Sequence, residues 1–443
     1  MLLAELVTAS ATVGSTRSRL AKVRALADAL ARAAGSGQTE TAVAFLSGTP
    51  RQGRVGAGWR TLVGLDLPPA ESPSLTLADA DAVLAAVSAT SGKGAAARRT
   101  ELLAGLFSAA TAEEQDFLRR LLANELRQGA LEGVMLDAIA AAAGVPGDAV
   151  RRAFMISGQL PATAAAALTG GGAALAGFRV ELGRPVRPML ASPAESLASA
   201  LELGAVLVEY KLDGARIQVH KDGHLVRVFT RTLREITSAV PELVALVAGL
   251  PCRSVVLDGE TLALTDDGRP RTFQETMSRF GAAGPRELLL RPYFFDCLHL
   301  DGTTLIDEPL ASRNEALRAA VGEHIIPGAL RPTPERAREV LADALAAGHE
   351  GVMVKSLGSP YIAGRRGTAW QKVKPVHTLD LVVLAAEWGH GRRTGYLSNL
   401  HLGARVCQAS SSSVSPLNVL PTMTNPSGRA PAGSSWSARR SRG

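Results

Sequence analysis

Apolar residues recur every three or four positions through the first part of the chain. Such runs occupy residues 102–110, 117–126 and 131–139. Apolar side chains at this spacing lie on one face of a helix. The third run ends at the Gly-Val-Pro sequence of residues 144–146, because proline does not continue a helix. We therefore predict an all-α domain over residues 1–175.

The pattern changes after residues 164–177, where the density of alanine and glycine is typical of a linker. Short apolar and alternating runs follow at residues 206–210, 216–220 and 225–229. These runs predict β-strands, and the Lys-Asp-Gly sequence at 221–223 predicts a hairpin between the last two.

The same kind of region continues to about residue 375. Strands are predicted at 254–257, 293–298 and 351–355, and helices near 241–250 and 334–347. Strands and helices in this order favour an α+β domain with mostly antiparallel sheets, which we place at residues 176–375.

The end of the chain has two parts in this prediction. Residues 379–386 begin a further β segment, which opens a small domain at 376–404. After residue 404 the chain has four consecutive serines, scattered prolines, five arginines and no acidic residue. Because such a composition does not support a packed core, we expect residues 405–443 to be disordered or read from a shifted frame.

Composition narrows the class of protein. The net charge of +7 suits a polyanionic partner such as a nucleic acid, but it also fits a merely basic protein. No stretch reads as a membrane span or a signal peptide. The three cysteines lie far apart, so we expect neither disulfides nor a zinc site, and a reducing cytoplasm fits.

Lysine is scarce in this chain, because only seven of its 48 basic residues are lysine. Arginine serves wherever a general positive charge is sufficient. A lysine that remains is therefore a candidate for chemistry that needs an amine, such as nucleophilic attack. Lys211 is the strongest candidate, since it follows a predicted strand and precedes the turn at Asp213-Gly214.

The K-x-D-G run around Lys211 is weak evidence when taken alone, but related groups follow it at the ends of predicted strands. Carboxylates occur at Glu260 and Glu350, and aromatic side chains occur just before Asp296. The sequence Trp-Gln-Lys-Val-Lys at 370–374 places two amines on one face of a strand. Together these groups are the set that nucleotidyl transfer requires: a nucleophile, metal-binding carboxylates, a base platform and cations for phosphates.

In these ordered motifs the sequence resembles the ATP-dependent DNA ligases, and within them the actinobacterial ligase B group. The motifs occupy residues 209–214, 230–231, 257–260, 293–296, 350–355 and 370–374. The resemblance implies that Lys211 attacks ATP to give a lysyl-AMP intermediate. It also implies nick sealing in double-stranded DNA during replication, repair or recombination, by a monomer that does not bind membranes.

The resemblance further implies roles for residues around the base and ribose. Glu209 would contact the adenine, and Phe295 would stack on it, with Phe294 in the core. Arg216 would contact the ribose or the nick phosphate. Glu260 would meet the ribose.

Other residues would bind phosphate or metal in this comparison. Arg231 would face a phosphate, Arg366 and Lys372 would hold the α-phosphate, and Lys374 would assist. Glu260 and Glu350 would bind Mg²⁺. Two residues stay open, because Asp258 and Lys355 could serve the site or only stabilise the sheet.

The resemblance ends at about residue 404, within the expected C-terminal oligonucleotide-binding barrel. We therefore expect an incomplete OB-fold β-barrel and impaired self-adenylation. Two other functions remain open at this point. An RNA ligase or capping enzyme would share the lysine chemistry, and a non-catalytic DNA-binding remnant would share the basic charge.

Overall fold

The computed structural model describes residues 1–416 apart from 54, 57, 59, 60, 63, 127, 129–131, 266, 267, 279–289, 364, 365, 376–380, 391, 392, 409 and 410. The chain divides into two compact units, Met1–Lys374 and Pro375–Gly443, and each is described by itself. No helix in the described ranges combines the length and the apolar character that a membrane crossing needs.

The first unit begins with helices, as the apolar spacing predicts. Their inward faces form one apolar core, in which Leu30, Phe45, Phe107 and Phe117 are fully buried. The helices are α1 (Leu3–Ser15), α2 (Arg19–Gly35), α3 (Thr39–Leu46), α4 (Leu77–Ala89), α5 (Ala95–Ser108), α6 (Ala112–Leu122), α7 (Glu132–Ala143), α8 (Gly147–Ser157) and α9 (Leu160–Ala176).

The linker predicted at residues 164–177 is wrong. These residues belong to α9, which is kinked at Gly171, where φ is +56°. The alanines around Thr163 are good helix formers, and two of them, Ala164 and Ala167, pack into the helical core. The glycines produce a kink within the helix and do not end it.

The described residues in the rest of the first unit form two five-stranded sheets. In strand order they are β1-β10-β9-β2-β8 and β4-β3-β5-β6-β7. All neighbouring strands are antiparallel except β1 and β10, as the sequence predicts. The strands are β1 (Leu190–Pro193), β2 (Val206–Lys211), β3 (Ala215–Asp222), β4 (Leu225–Thr230), β5 (Ser254–Ala263), β6 (Leu290–Leu300), β7 (Thr303–Thr304), β8 (Gly328–Leu330), β9 (Gly351–Ser356) and β10 (Arg366–Val373).

Helices cover one face of each sheet. In the first sheet, Val208 and Val354 pack against α14 through Val340. In the second sheet, Phe294 lies in a core with residues of α11 and α13. The helices of this region are α10 (Leu197–Leu201), α11 (Pro241–Ala248), α12 (Phe273–Ser278), α13 (Leu310–Val321) and α14 (Pro334–Ala346).

The opposite faces of the two sheets share a third apolar cluster. Phe295 of β6 and Trp370 of β10 both belong to it. Because side chains alternate along a strand, Phe294 points to the helix-covered side and Phe295 to the side shared by the sheets. The assignment of Phe294 to the core is therefore confirmed.

Within the second unit, the described residues form one antiparallel sheet of three strands in the order β11-β12-β13. They are β11 (Val382–Trp388), β12 (Leu397–Gln408) and β13 (Ser411–Pro416). The backbone of residues 405–408 and 411–416 continues this sheet, which differs from the disorder expected there, whereas the alternative of a shifted frame stays a prediction. The remainder of that tail, residues 417–443, lies outside the described part of the chain.

Candidate active site

A cavity of about 530 Å³ opens between the two five-stranded sheets. Its volume is in the range of small-molecule sites, which is about 300–1,000 Å³. Residues from β2, β3, β5, β6, β9 and β10 line it. Seven residues that the sequence selected are among them: Glu209, Lys211, Arg216, Arg231, Glu260, Phe295 and Lys372.

Lys211 is the last residue of β2, and a tight turn carries the chain from it into β3. Gly214 in this turn lies against β5, because a Cβ atom there would stand 2.3 Å from the carbonyl oxygen of Thr261. Only glycine allows this approach without moving the backbone. The Asp-Gly pair therefore brings the end of β2 against β5 and holds the amine of Lys211 at the cavity.

Glu350 is the immediate partner of that amine, since its carboxylate contacts Lys211 Nζ directly. Its backbone N–H also donates to the carbonyl oxygen of Lys211 over 3.1 Å. Lys374 Nζ lies 3.8 Å from the second carboxylate oxygen. Burial opposes ionisation of Glu350, but the hydrogen bond and charge of Lys211 outweigh it and lower the pKa of this carboxyl group.

Glu260 lies on β5, directly opposite Arg216 on β3. Burial raises the pKa of Glu260 to about 7, although the charges of Arg216 and Lys211 act in the other direction. Asp213 also has a raised pKa, because of burial and then repulsion by Glu350. The floor of the cavity therefore holds carboxyl groups whose ionisation depends on cations beside them.

Arg216 is held by four protein groups. Its guanidinium donates two hydrogen bonds to the buried carboxylate of Asp258, at 3.0 and 2.6 Å, and one to the carbonyl oxygen of Met189 at 2.7 Å. It also reaches Tyr361 Oη at 3.3 Å. The guanidinium carbon lies 5.3 Å from the ring centre of Phe295. Asp258 thus orients a residue of the cavity, in addition to any effect on the sheet.

Glu209 forms a buried ion pair with Lys355 beneath the cavity. Lys355 Nζ lies 4.5 Å from the ring centre of Phe295 and 4.3 Å from that of Trp370. Cations bind aromatic faces at such distances. Both aromatic rings and the ion pair therefore form one packed group at the end of the cavity.

Three of the cations selected from the sequence, Lys372, Lys374 and Arg366, lie at different positions relative to the cavity. Lys372 lines the cavity, whereas the half-exposed Lys374 lies beside Glu350. Arg366 begins β10, and its backbone is paired with Leu190. The side chain of Arg366 lies outside the described part of the chain.

Sequence reasoning missed two residues of this region. Tyr361 is fully buried, donates a 2.6 Å hydrogen bond to Asp258 and accepts one from the backbone N–H of Met189. Arg313 is also fully buried and donates to both carboxylate oxygens of Asp296, at 2.7 and 3.0 Å. Neither residue stands in a motif with obvious chemistry. For Arg313, the one available signal is an arginine on the apolar side of a helical pattern. For Tyr361 the sequence gives no such signal.

A lysine at a strand end, beside carboxylates and cations in a cleft between two mostly antiparallel sheets, defines a class of enzyme. This arrangement is that of a covalent nucleotidyltransferase. The comparisons with known proteins specify it further. Residues 188–374 match the ATP dependent DNA ligase domain family, and residues 17–140 match the DNA ligase N terminus family.

Bacterial relatives agree over most of the chain. A probable DNA ligase of Rhodococcus opacus (strain B4) is 66% identical over 407 residues, which cover 91% of this chain and 81% of the relative. The corresponding protein of Saccharopolyspora erythraea is 65% identical, with coverages of 91% and 79%. The solved structure Pmar-Lig_PreS3 has the same fold, with a TM-score of 0.57 at 18% identity over 93% of this chain and 87% of its own.

The chain belongs to the ATP-dependent DNA ligase family. Its enzyme class is that of a DNA ligase that uses ATP, as the motif order predicts. The helical N-terminal region and the antiparallel sheets of the fold class are also confirmed. An RNA ligase or a capping enzyme is therefore the weaker assignment.

Proposed function

We propose that Lys211 is the nucleophile of this ligase. The observation that supports it is the position of the Lys211 amine, which lies at the cavity in contact with Glu350. In the first step the deprotonated Nζ forms a bond to the α-phosphorus of ATP. The bond from that phosphorus to the bridging oxygen breaks, and pyrophosphate leaves.

The later steps pass the adenylyl group to DNA. The 5′-phosphate at a nick attacks the lysyl-AMP phosphorus and releases the Lys211 amine. The 3′-hydroxyl then attacks the activated 5′-phosphate, closes the strand and releases AMP. We propose nicked double-stranded DNA as the substrate, with the helical region of residues 1–175 on the duplex and residues 176–375 on the nucleotide.

Base and ribose are assigned to the packed end of the cavity. Phe295 offers a ring for stacking, and the carboxylate of Glu209 offers an acceptor for the adenine amino group. We assign Glu260 to the ribose hydroxyls. Arg216 contacts the ribose or the nick phosphate, in the orientation that Asp258 gives it.

We assign the phosphates to the part of the cavity that Lys372 and Arg231 line. We propose that Lys372 and Arg366 hold the α-phosphate, that Lys374 assists, and that Arg231 faces a further phosphate. Cations in a water-poor cleft stabilise the charge that develops on a transferring phosphoryl group.

We propose Mg²⁺ as the metal, held by Glu260 and Glu350. Among the described residues, no group of three or more histidine, cysteine or acidic side chains could hold a metal ion. Two carboxylates with substrate phosphates and waters are a set that Mg²⁺ accepts. When bound, the ion would neutralise phosphate charge during transfer. We further propose that the enzyme acts as a monomer in the cytoplasm.

Incubation with α-labelled ATP and magnesium tests the nucleophile. We expect label on the full-length chain, and complete loss of that label in Lys211→Ala. The matched control is Lys93→Ala, because Lys93 is an exposed lysine outside the cavity. Label that persists in Lys211→Ala would contradict the assignment. Sealing of nicked DNA against nicked RNA then tests the substrate, and nick binding with no label on the wild type would identify a non-catalytic DNA-binding protein.

A further inference from the structure

The ion pair between Glu209 and Lys355 lies where the cavity meets the protein interior. Lys355 contacts Glu209 Oε1, and both side chains are almost fully buried. Both residues line the cavity, together with Phe295. The Lys355 ammonium contacts only one of the two carboxylate oxygens of Glu209 in this ion pair, Oε1.

Lys355 is held in place on several sides. Besides Glu209, its ammonium reaches the carbonyl oxygen of Phe295 at 3.3 Å and lies over two aromatic faces. Turning it toward a ligand would break a buried ion pair and remove it from both rings. Breaking such a pair is unfavourable, because it leaves a buried charge without compensation. We therefore expect Lys355 to keep its ion pair with Glu209 when a ligand binds.

The partner determines which hydrogen bonds Glu209 can make. An ionised carboxylate only accepts hydrogen bonds, whereas a protonated one also donates. Burial raises the pKa of Glu209, and the charge and hydrogen bond of Lys355 oppose that increase. Two further charges act on the group, since Asp296 raises the pKa and Arg318 lowers it. Without Lys355 the carboxyl group would lose its main stabiliser as an acceptor.

We propose that Lys355 is a specificity-determining residue of the nucleotide site. It keeps Glu209 as a hydrogen-bond acceptor, so that the cavity takes a purine with a 6-amino group and rejects one with a 6-oxo group. The inference rests on the proposed function, because it assumes that the purine of the nucleotide lies against Phe295 and Glu209.

Discrimination follows from the acceptors and donors at that edge. A 6-amino group donates to the carboxylate of Glu209, at the oxygen that Lys355 does not contact. A 6-oxo group would place its oxygen against the same carboxylate, which leaves two buried acceptors without a donor. Lys355 cannot relieve this conflict while it is bound to Glu209. Sites that bind a substrate through a buried polar group can reject the wrong analogue by large factors.

Inosine triphosphate is the suitable probe, because it replaces the 6-amino group of ATP by a 6-oxo group. The rate of covalent nucleotide attachment to the full chain is measured with each nucleotide by intact mass. For the wild type, we expect ATP to react at least ~100-fold faster than inosine triphosphate. In Lys355→Met, we expect the ratio of the two rates to fall at least ~10-fold, mainly through slower reaction with ATP.

Lys221→Met is the matched control. Lys221 is also a buried lysine, and it donates to the carbonyl oxygens of Ala248 and Leu250 outside the cavity. Removing it should lower stability and leave the ratio of nucleotide rates unchanged. An unchanged ratio in Lys355→Met, or an equal fall in Lys221→Met, would overturn the proposal.

Lys355→Met leaves Glu209 unpaired, so it could fail to fold. The double variant Glu209→Gln with Lys355→Met removes both charges and avoids that problem. Its amide can accept or donate, so we expect inosine triphosphate to react within about tenfold of ATP. A wild-type ratio in the double variant would refute the inference. If the wild-type chain takes up no nucleotide at all, the proposed function itself fails.

Discussion

His220 lies on β3 inside the second sheet, and two hydrogen bonds hold its ring. The backbone N–H of Gly183 donates to Nδ1 over 3.1 Å, and Nε2 lies 3.0 Å from Gln218 Oε1. This pattern requires a neutral ring with the proton on Nε2, because a protonated Nδ1 would face another donor. Burial, together with the nearby His299 and Arg227, lowers the pKa of His220 to about 3.

Acid should therefore destabilise the protein through His220. The unfolded chain binds this proton near pH 6.5 and the folded chain only near pH 3, so stability is lost as pH falls through that interval. Between pH 7.5 and 5 we expect the free energy of unfolding to fall by about 2 kcal/mol from this group. In His220→Gln this part of the pH dependence should vanish. Urea titrations at several pH values measure it, with the exposed His224 changed to glutamine as the control; equal slopes in both variants would contradict the assignment.

Hydrogen bonds connect Tyr361 to the cavity through Asp258 and Arg216. Its hydroxyl donates to Asp258 Oδ2, the same oxygen that accepts from Arg216. In Tyr361→Phe the carboxylate loses one donor and gains freedom to turn. We expect Lys211 adenylation to slow about tenfold, which corresponds to one buried hydrogen bond to a charged group.

A double-mutant cycle separates this positioning effect from simple loss of stability. If Tyr361 acts through Arg216, then Tyr361→Phe should add less than about twofold in an Arg216→Lys background. Thr163→Val is the stability control, since it removes a buried hydroxyl that bonds Ser157 in the helical region. Additive effects of the two changes would show that Tyr361 does not act through Arg216.

The turn between β2 and β3 is the element that positions Lys211, the proposed nucleophile. Gly214 lies so close to β5 that a Cβ atom would stand 2.3 Å from Thr261 O and 2.6 Å from Leu262 Cδ2. Backbone on one side of this contact would have to move. Because Lys211 is only three residues away, such a movement changes the position of its amine relative to Glu350.

Gly214→Ala should therefore reduce adenylation of Lys211 at least ~100-fold, since displacements of about 1 Å at a reacting group have effects of that size. The rate of label incorporation measures this effect. Gly105→Ala in α5 is the control, because a Cβ atom there meets nothing within 4 Å. We expect the control to keep its activity and to gain about 0.5–1 kcal/mol of stability, from replacing a glycine inside a helix. A Gly214→Ala protein with normal adenylation would show that the close approach is not needed.

In the whole molecule, helices and sheets of the first unit are joined by ion pairs as well as by apolar contacts. Arg152 of α8 donates two hydrogen bonds to Asp307, at 2.7 and 2.5 Å. Arg187, which precedes the first sheet, contacts Glu132 of α7 and lies 4.5 Å from the ring centre of Phe154. The helical region and the sheets therefore belong to one unit, which carries both the expected duplex surface and Lys211, the proposed nucleophile.

A net charge of +7 on this molecule should make DNA binding strongly dependent on salt. Each phosphate that the protein neutralises releases counterions, so the logarithm of affinity falls linearly with the logarithm of salt concentration. If about four phosphates are neutralised, binding to nicked duplex should weaken about 100-fold between 50 and 200 mM salt. Fluorescence anisotropy with a labelled nicked duplex measures this slope. Affinity that does not change with salt would exclude a phosphate-dominated surface.

The sequence predicted regular elements well where the apolar pattern was long or strictly alternating. It predicted the strands around Lys211, the hairpin after Lys221 and the helices near Pro241 and Pro334. It failed in the alanine- and glycine-rich segment that forms α9, because composition typical of a linker can still form a helix when tertiary packing supports it. It also failed for β13, whose serines pair through their backbone with β12 and need no apolar pattern.

The identity of the chemistry is a property of the sequence alone. The order of the motifs resembles that of the ATP-dependent DNA ligases and indicates a ligase without any coordinates, and the scarcity of lysine points to Lys211 within them. The partners of each group were decided by the tertiary structure. Lys355 pairs with Glu209, and Tyr361 holds Asp258 across more than a hundred residues of chain. Burial and charge pairing depend on which strands lie side by side. The linear pattern of residues does not specify these neighbours.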